Sequence, residues 1–130
     1  MKKALVFLAT IVCLCFASVC FAATEMEARL AAFQEKAAQG DLQAMYSLAE
    51  AHFGGRFGLT KDVNKGIEWF EKAANQGFAK AQNMLGNIYR HSLGGVPEDL
   101  AKAKAWYQKA CKSNWTGSCN EAQALAKRGF

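Results

Sequence analysis

Sliding the 130-residue sequence past itself by 37 places lays Gln39-Gly40 on Gln76-Gly77, Ala44 on Ala81, Leu48 on Leu85 and Gly58 on Gly95. The same shift lays Asp62 on Asp99, Lys65 on Lys102, Trp69 on Trp106 and Lys72-Ala73 on Lys109-Ala110. A period in the thirties marks an array of stacked units, each burying its apolar face against its neighbours. Inside a unit, Ala44, Leu48, Ala49 and His52 recur as Ala81, Leu85, Gly86 and Tyr89, at the spacing of one helix face.

After a glycine-containing loop, a second helix is expected to begin near Asp62 or Asp99, where a carboxylate meets the positive end of the helix dipole. Its buried stripe is read as Val63, Ile67 and Phe70, then Leu100, the alkyl stem of Lys104 and Tyr107. Small residues at Ala49, Gly86, Ala73 and Ala110 allow close helix approach, and Trp69 and Trp106 are expected to fill the space between hairpins. Fully burying such a ring is worth about 2–3 kcal/mol. The expected repeat core is therefore Ala44, Leu48, Trp69, Ala81, Leu85, Gly86, Trp106 and Tyr107.

Upstream, Thr24 and Glu27 have capping-box spacing, and Leu30 and Phe33 align with Ile67 and Phe70. The fold class that follows is all-α, an α/α solenoid of about two and a half helix hairpins. Its parts are a half repeat over 25–39, repeat one over 40–76, repeat two over 77–113 and a capping helix over 116–128.

Residues 1–22 are set apart from this domain. Lys2 and Lys3 precede an apolar run from Ala4 to Ala23 broken only by Thr10 and Ser18, and small residues Cys20 and Ala22 stand before a cut after Ala22. That is a signal-peptide layout, which predicts a periplasmic or secreted protein with no stable membrane insertion after cleavage. The alternative is an inner-membrane anchor formed by an uncleaved leader. A lipoprotein signal fails at Val19, where a small residue should precede Cys20.

Cleavage removes Cys13, Cys15 and Cys20 and leaves Cys111 and Cys119, an even pair in an exported chain, so a disulfide is expected. It also removes two lysines, lowering the formal charge from +5 to +3. The remaining charges are interspersed, which argues against a nucleic-acid partner.

No zinc pattern, phosphate loop or nucleophile elbow is present. His52 takes an aromatic core position, His91 falls in a turn, and Ser118 has no base at readable spacing. Neither catalytic residues, a metal site nor a cofactor is predicted.

Taken in order, Ala81, Leu85-Gly86, Tyr89, Gly94-Gly95-Val96, Asp99, Lys102-Ala103, Trp106-Tyr107 and Lys109-Ala110 resemble the Sel-one-like repeat, a relative of the tetratricopeptide repeat. Repeat one follows with Ala44, Leu48, Asp62, Lys65-Gly66, Trp69 and Lys72-Ala73-Ala74, departing at Ala49 and His52. The spacing of Cys111 and Cys119 is similar to the cysteine-rich branch, in which such a pair ties the second helix of one unit to the first helix of the next.

The resemblance implies a module that binds another protein or peptide along its first helices, as a toxin-neutralising protein or an envelope scaffold. By helical phase, Tyr46, Glu50, Asn83, Asn87 and Arg90 are the expected docking residues. The alternative implied by the cysteine-rich branch is a β-lactam-binding or hydrolysing enzyme, for which no nucleophile, base or oxyanion site can be named.

Overall fold

The computed structural model describes residues 23–130, all of it helix, turn and loop. The predicted leader and its cut lie outside the described residues. Helix α1 spans 23–38. It is followed by α2 (Leu42–Gly54), α3 (Val63–Asn75), α4 (Ala79–His91), α5 (Leu100–Lys112) and α6 (Thr116–Lys127), with a short 3-10 turn at Leu93–Gly95. Helices α2/α3 and α4/α5 are the two hairpins, α3 rests on α4, and α6 rests on α5.

The repeat is visible in its joints. Asp62 and Asp99 cap α3 and α5, each side chain accepting from the backbone N–H three residues on, at 3.0 and 2.9 Å. Each capping aspartate also donates its own N–H back to the first helix, Asp62 to the His52 carbonyl at 2.7 Å and Asp99 to that of Tyr89 at 2.9 Å. One residue therefore starts the second helix and closes the loop. Between hairpins, Gly40, Gly77 and Asn114 occupy one register position in left-handed backbone, with φ of 90°, 87° and 64°. Asn114 does there what glycine does earlier, since asparagine tolerates that region better than most side chains.

The core runs continuously through the stack. Leu48, Phe70, Leu85, Ile88, Tyr107 and Leu125 are fully enclosed. In the second helices the innermost line is Gly66, Phe70 and Ala73, then Ala103, Tyr107 and Ala110. Val63, Ile67, Leu100 and Lys104 are only half-buried. The expected stripe is thus rotated toward smaller residues, because the facing helices approach too closely for branched side chains.

The two tryptophans related by the repeat, Trp69 and Trp106, part company. Trp106 is buried at 8% exposure, whereas Trp69 is half-buried against the rim of the core. Each ring carries the ammonium of a lysine three residues on, Lys72 at 4.1 Å and Lys109 at 4.0 Å from the centroid. Those cations shield the open faces of the indoles.

Thr24 does not cap α1, because the helix already includes Ala23 and Thr24. The terminal helix α6 has little apolar surface, and Ser118, Ala122 and Leu125 are its buried residues. Cys111 and Cys119 are joined by a disulfide that ties it to α5, with their Cα atoms 4.8 Å apart.

Candidate interaction surface

The sequence placed five docking residues on the first helices, and the structure shows most of them facing neighbouring helices. Tyr46 is buried at 5% exposure, edge-on to Phe70 and Phe78 at centroid distances of 5.2 and 5.9 Å. It is a core residue, which corrects its expected exposure. Burial, with the Glu50 carboxylate beside it, pushes its phenol up to about 12.

Asn83, Asn87 and Arg90, each half-buried, line a polar seam. Ser118, fully buried, donates to Asn83 Oδ1 at 2.8 Å, and the Tyr107 hydroxyl donates to Asn87 Oδ1 at 2.7 Å. Arg90 pairs with Glu121 of α6. Burial raises the Tyr107 pKa, while a hydrogen bond and the positive charge of Arg90 pull the other way. These side chains satisfy buried polar atoms where α4, α5 and α6 meet.

The burial of Tyr46 has a physical cause. Successive residues on a helix are about 100° apart, so a one-residue error in phase exchanges an open face for the flank that the next hairpin covers. Periodicity locates the buried stripe but not which flank is covered.

Glu50, another of the five, borders an opening. Between α2 and α4 lies a groove of 290 Å³ floored by Phe53, Phe70 and Met84 and flanked by Glu50 and Arg56. Gln43 of α2 and Lys80 of α4, one period apart, are exposed, with Lys80 Nζ 4.3 Å from the Tyr46 ring centroid. An apolar floor between opposite charges can take an apolar side chain and orient a peptide by its polar groups. The aromatic floor is a departure from the period, since Phe53 stands in the first unit where Arg90 stands in the second.

The junctions between hairpins also correspond. Gln82 Nε2 donates to the Ala74 carbonyl at 2.8 Å, and one period later Cys119 is bonded to Cys111 at the same two positions. A buried hydrogen bond holds the inner junction and a covalent bond holds the outer one.

His52 is buried where repeat two has Tyr89. Burial lowers its pKa first, the nearby Lys65 ammonium adds to the drop, and Asp62 opposes it. In repeat two the corresponding Lys102 lies over Tyr89, 4.4 Å from the ring centroid. The neutral imidazole therefore stands in for an aromatic ring beside a lysine. No group of three or more His, Cys, Asp or Glu able to hold a metal is found among the described residues.

Comparison with known proteins bears on the whole surface. The family model described as the Sel1 repeat matches twice, over residues 42–78 and 79–115. Among solved structures, the chain is similar to a Sel1 repeat protein from Oxalobacter formigenes, with 25% identity and a TM-score of 0.69. That match covers 78% of this chain and 75% of the other. It is also similar to a protective antigen of uropathogenic Escherichia coli strains displaying an SLR fold, with 32% identity and a TM-score of 0.69. There the match covers 77% of this chain but only 21% of the antigen. No curated protein sequence matches the chain.

Proposed function

The chain belongs to the Sel1 repeat family, and from that premise we propose that it is an exported adaptor that binds a protein or peptide partner on its first-helix side. Sel1 repeats generally mediate protein–protein interaction. The observation that carries the reading here is the Phe53–Met84 groove between Glu50 and Arg56, which is apolar, open and flanked by opposite charges. The repeated residues, from the capping aspartates to the lysine-covered tryptophans, hold the scaffold together, so specificity falls to positions where the units differ.

Export rests on the leader pattern in the sequence, and the Cys111–Cys119 bond is consistent with an oxidising compartment. No helix among the described residues is long and apolar enough to cross a membrane. The adaptor acts without catalysis, cofactor or nucleic acid, as a toxin-neutralising protein or an envelope scaffold.

Cross-linking in an envelope extract, with Met84→Glu and Glu50→Ala beside the parent chain, tests the proposal. A partner captured by the parent and lost with Met84→Glu supports it. Capture of nothing, or capture indifferent to both substitutions, rejects the groove as the binding surface.

A further inference from the structure

Phe53 is clamped by its neighbours and yet only half-buried. Its backbone lies so close to α3 that a Cβ on Gly66 would meet the Phe53 nitrogen at 2.8 Å, and a Cβ on Gly94 would stand 2.9 Å from the ring's Cζ. The ring meets that of Phe70 edge-on, with centroids 6.0 Å apart. A side chain held in this way by two glycines and a second ring is fixed before anything binds, so a partner does not have to order it.

The rings continue inward from there. Phe53–Phe70, Phe70–Tyr46 and Tyr46–Phe78 are successive edge-on contacts at 6.0, 5.2 and 5.9 Å. At its outer end the series opens into the groove, where Met84 also lines the wall. Rings and methionine sulfur both favour a further ring beyond what burial alone gives an aliphatic side chain.

The next junction has a different lining. One period on, Glu50, Phe53, Phe70 and Met84 become Asn87, Arg90, Tyr107 and Glu121. There Asn87 accepts from the Tyr107 hydroxyl and Arg90 pairs with Glu121, so the polar groups satisfy one another. At the first junction two charges are left over. Glu50 and Arg56 line the same groove, and neither is in an ion pair among the described residues.

We propose that this groove takes one aromatic side chain of a protein partner, set between a basic residue that meets Glu50 and an acidic residue that meets Arg56. The inference rests on the adaptor reading and names the chemistry of its partner.

The test titrates the full exported chain with short synthetic peptides, each with one central phenylalanine or leucine, while the Met84 methyl signal is followed by NMR. With one lysine and one aspartate as flanks, in whichever order binds better, phenylalanine is expected to bind about fivefold more tightly than leucine. Two lysines or two aspartates as flanks should weaken binding about threefold. Phe53→Leu should remove the preference for phenylalanine. Arg56→Glu, at an exposed position, should shift the flank preference to two lysines.

Absence of any Met84 shift, equal binding of phenylalanine and leucine, or a flank preference unmoved by Arg56→Glu overturns the proposal. A Met84 signal that moves with the concentration of the chain alone overturns it in favour of a second copy. An envelope partner that is lost with Met84→Glu but whose cross-linked segment carries no aromatic residue also overturns it, and leaves the adaptor reading standing. The expected peptide preferences with no envelope partner captured keep the groove's chemistry and remove the adaptor reading.

Discussion

Tyr107 lies directly on the backbone of α4 at Gly86, so closely that a Cβ added there would stand 2.5 Å from the ring's Cε1. In repeat one the corresponding pair is Phe70 and Ala49, and the glycine has moved to the other helix. A Cβ on Gly66 would meet the backbone nitrogen of Phe53 at 2.8 Å. Each hairpin therefore has one glycine at its closest approach, on the first helix in one repeat and on the second in the other.

Both contacts are expected to be intolerant of a methyl group. Gly86→Ala and Gly66→Ala should each destabilise by about 1–3 kcal/mol despite the better helix propensity of alanine. Gly66→Ala should cost more, since backbone rather than a ring must move. Urea unfolding of both variants measures this. Adding Tyr107→Leu should recover part of the Gly86→Ala loss and none of the Gly66→Ala loss.

Phe70 is fully enclosed and Trp69 is not. Phe70→Ala is expected to cost about 3–5 kcal/mol, and Trp69→Ala distinctly less. Trp106→Ala, at a more buried indole, should fall nearer the Phe70 value. Thermal or denaturant unfolding of the three single variants ranks them.

Asn83 was read as a docking residue and is bonded to the buried hydroxyl of Ser118. Asn83→Ala should therefore lower stability by about 1–3 kcal/mol by leaving that hydroxyl unpartnered, without changing affinity for a partner in the Glu50–Arg56 groove. Unfolding and binding measured on the same variant separate the two effects.

Reducing the Cys111–Cys119 bond, or replacing both cysteines with serine, should cost about 2–3 kcal/mol for so short a loop. The loss should concentrate in α6, whose buried side chains are Ser118, Ala122 and Leu125. Hydrogen exchange should show α6 amides losing protection while those of α2 and α3 keep it. Intact mass with and without reductant and alkylation reports the bond itself and whether the chain is cut after Ala22.

His52 makes stability depend on pH. Its pKa in the folded chain lies below the ordinary 6.5, so the unfolded chain binds more protons in that window. Stability is full above about 6.5 and falls as the pH drops toward the folded value. His52→Phe should flatten that part of the stability–pH curve, as measured by urea unfolding from neutral to mildly acidic pH.

Much of this architecture is legible in the one-dimensional pattern. The 37-residue shift sets the hairpins, and Asp62 and Asp99 announce the second helices. Leu48 and Leu85 mark the buried face of the first helices, and the even cysteine pair points to a bond. All of these are local or strictly periodic signals. Thr24 shows the limit of a local motif, since capping-box spacing recurs inside a helix that does not start there.

What only the packed chain decided is non-local. Whether Trp69 or Phe70 is innermost, which hairpin helix carries the close-approach glycine, and whether Asn83 and Arg90 face solvent or α6 depend on how neighbouring hairpins cross. Periodicity records which face of a helix is buried on average, whereas the flank that a neighbour covers is set by the angle and distance at which two helices meet. That geometry puts Tyr46 in the core, ties Asn83, Asn87 and Arg90 to α5 and α6, and leaves Glu50 beside the open groove.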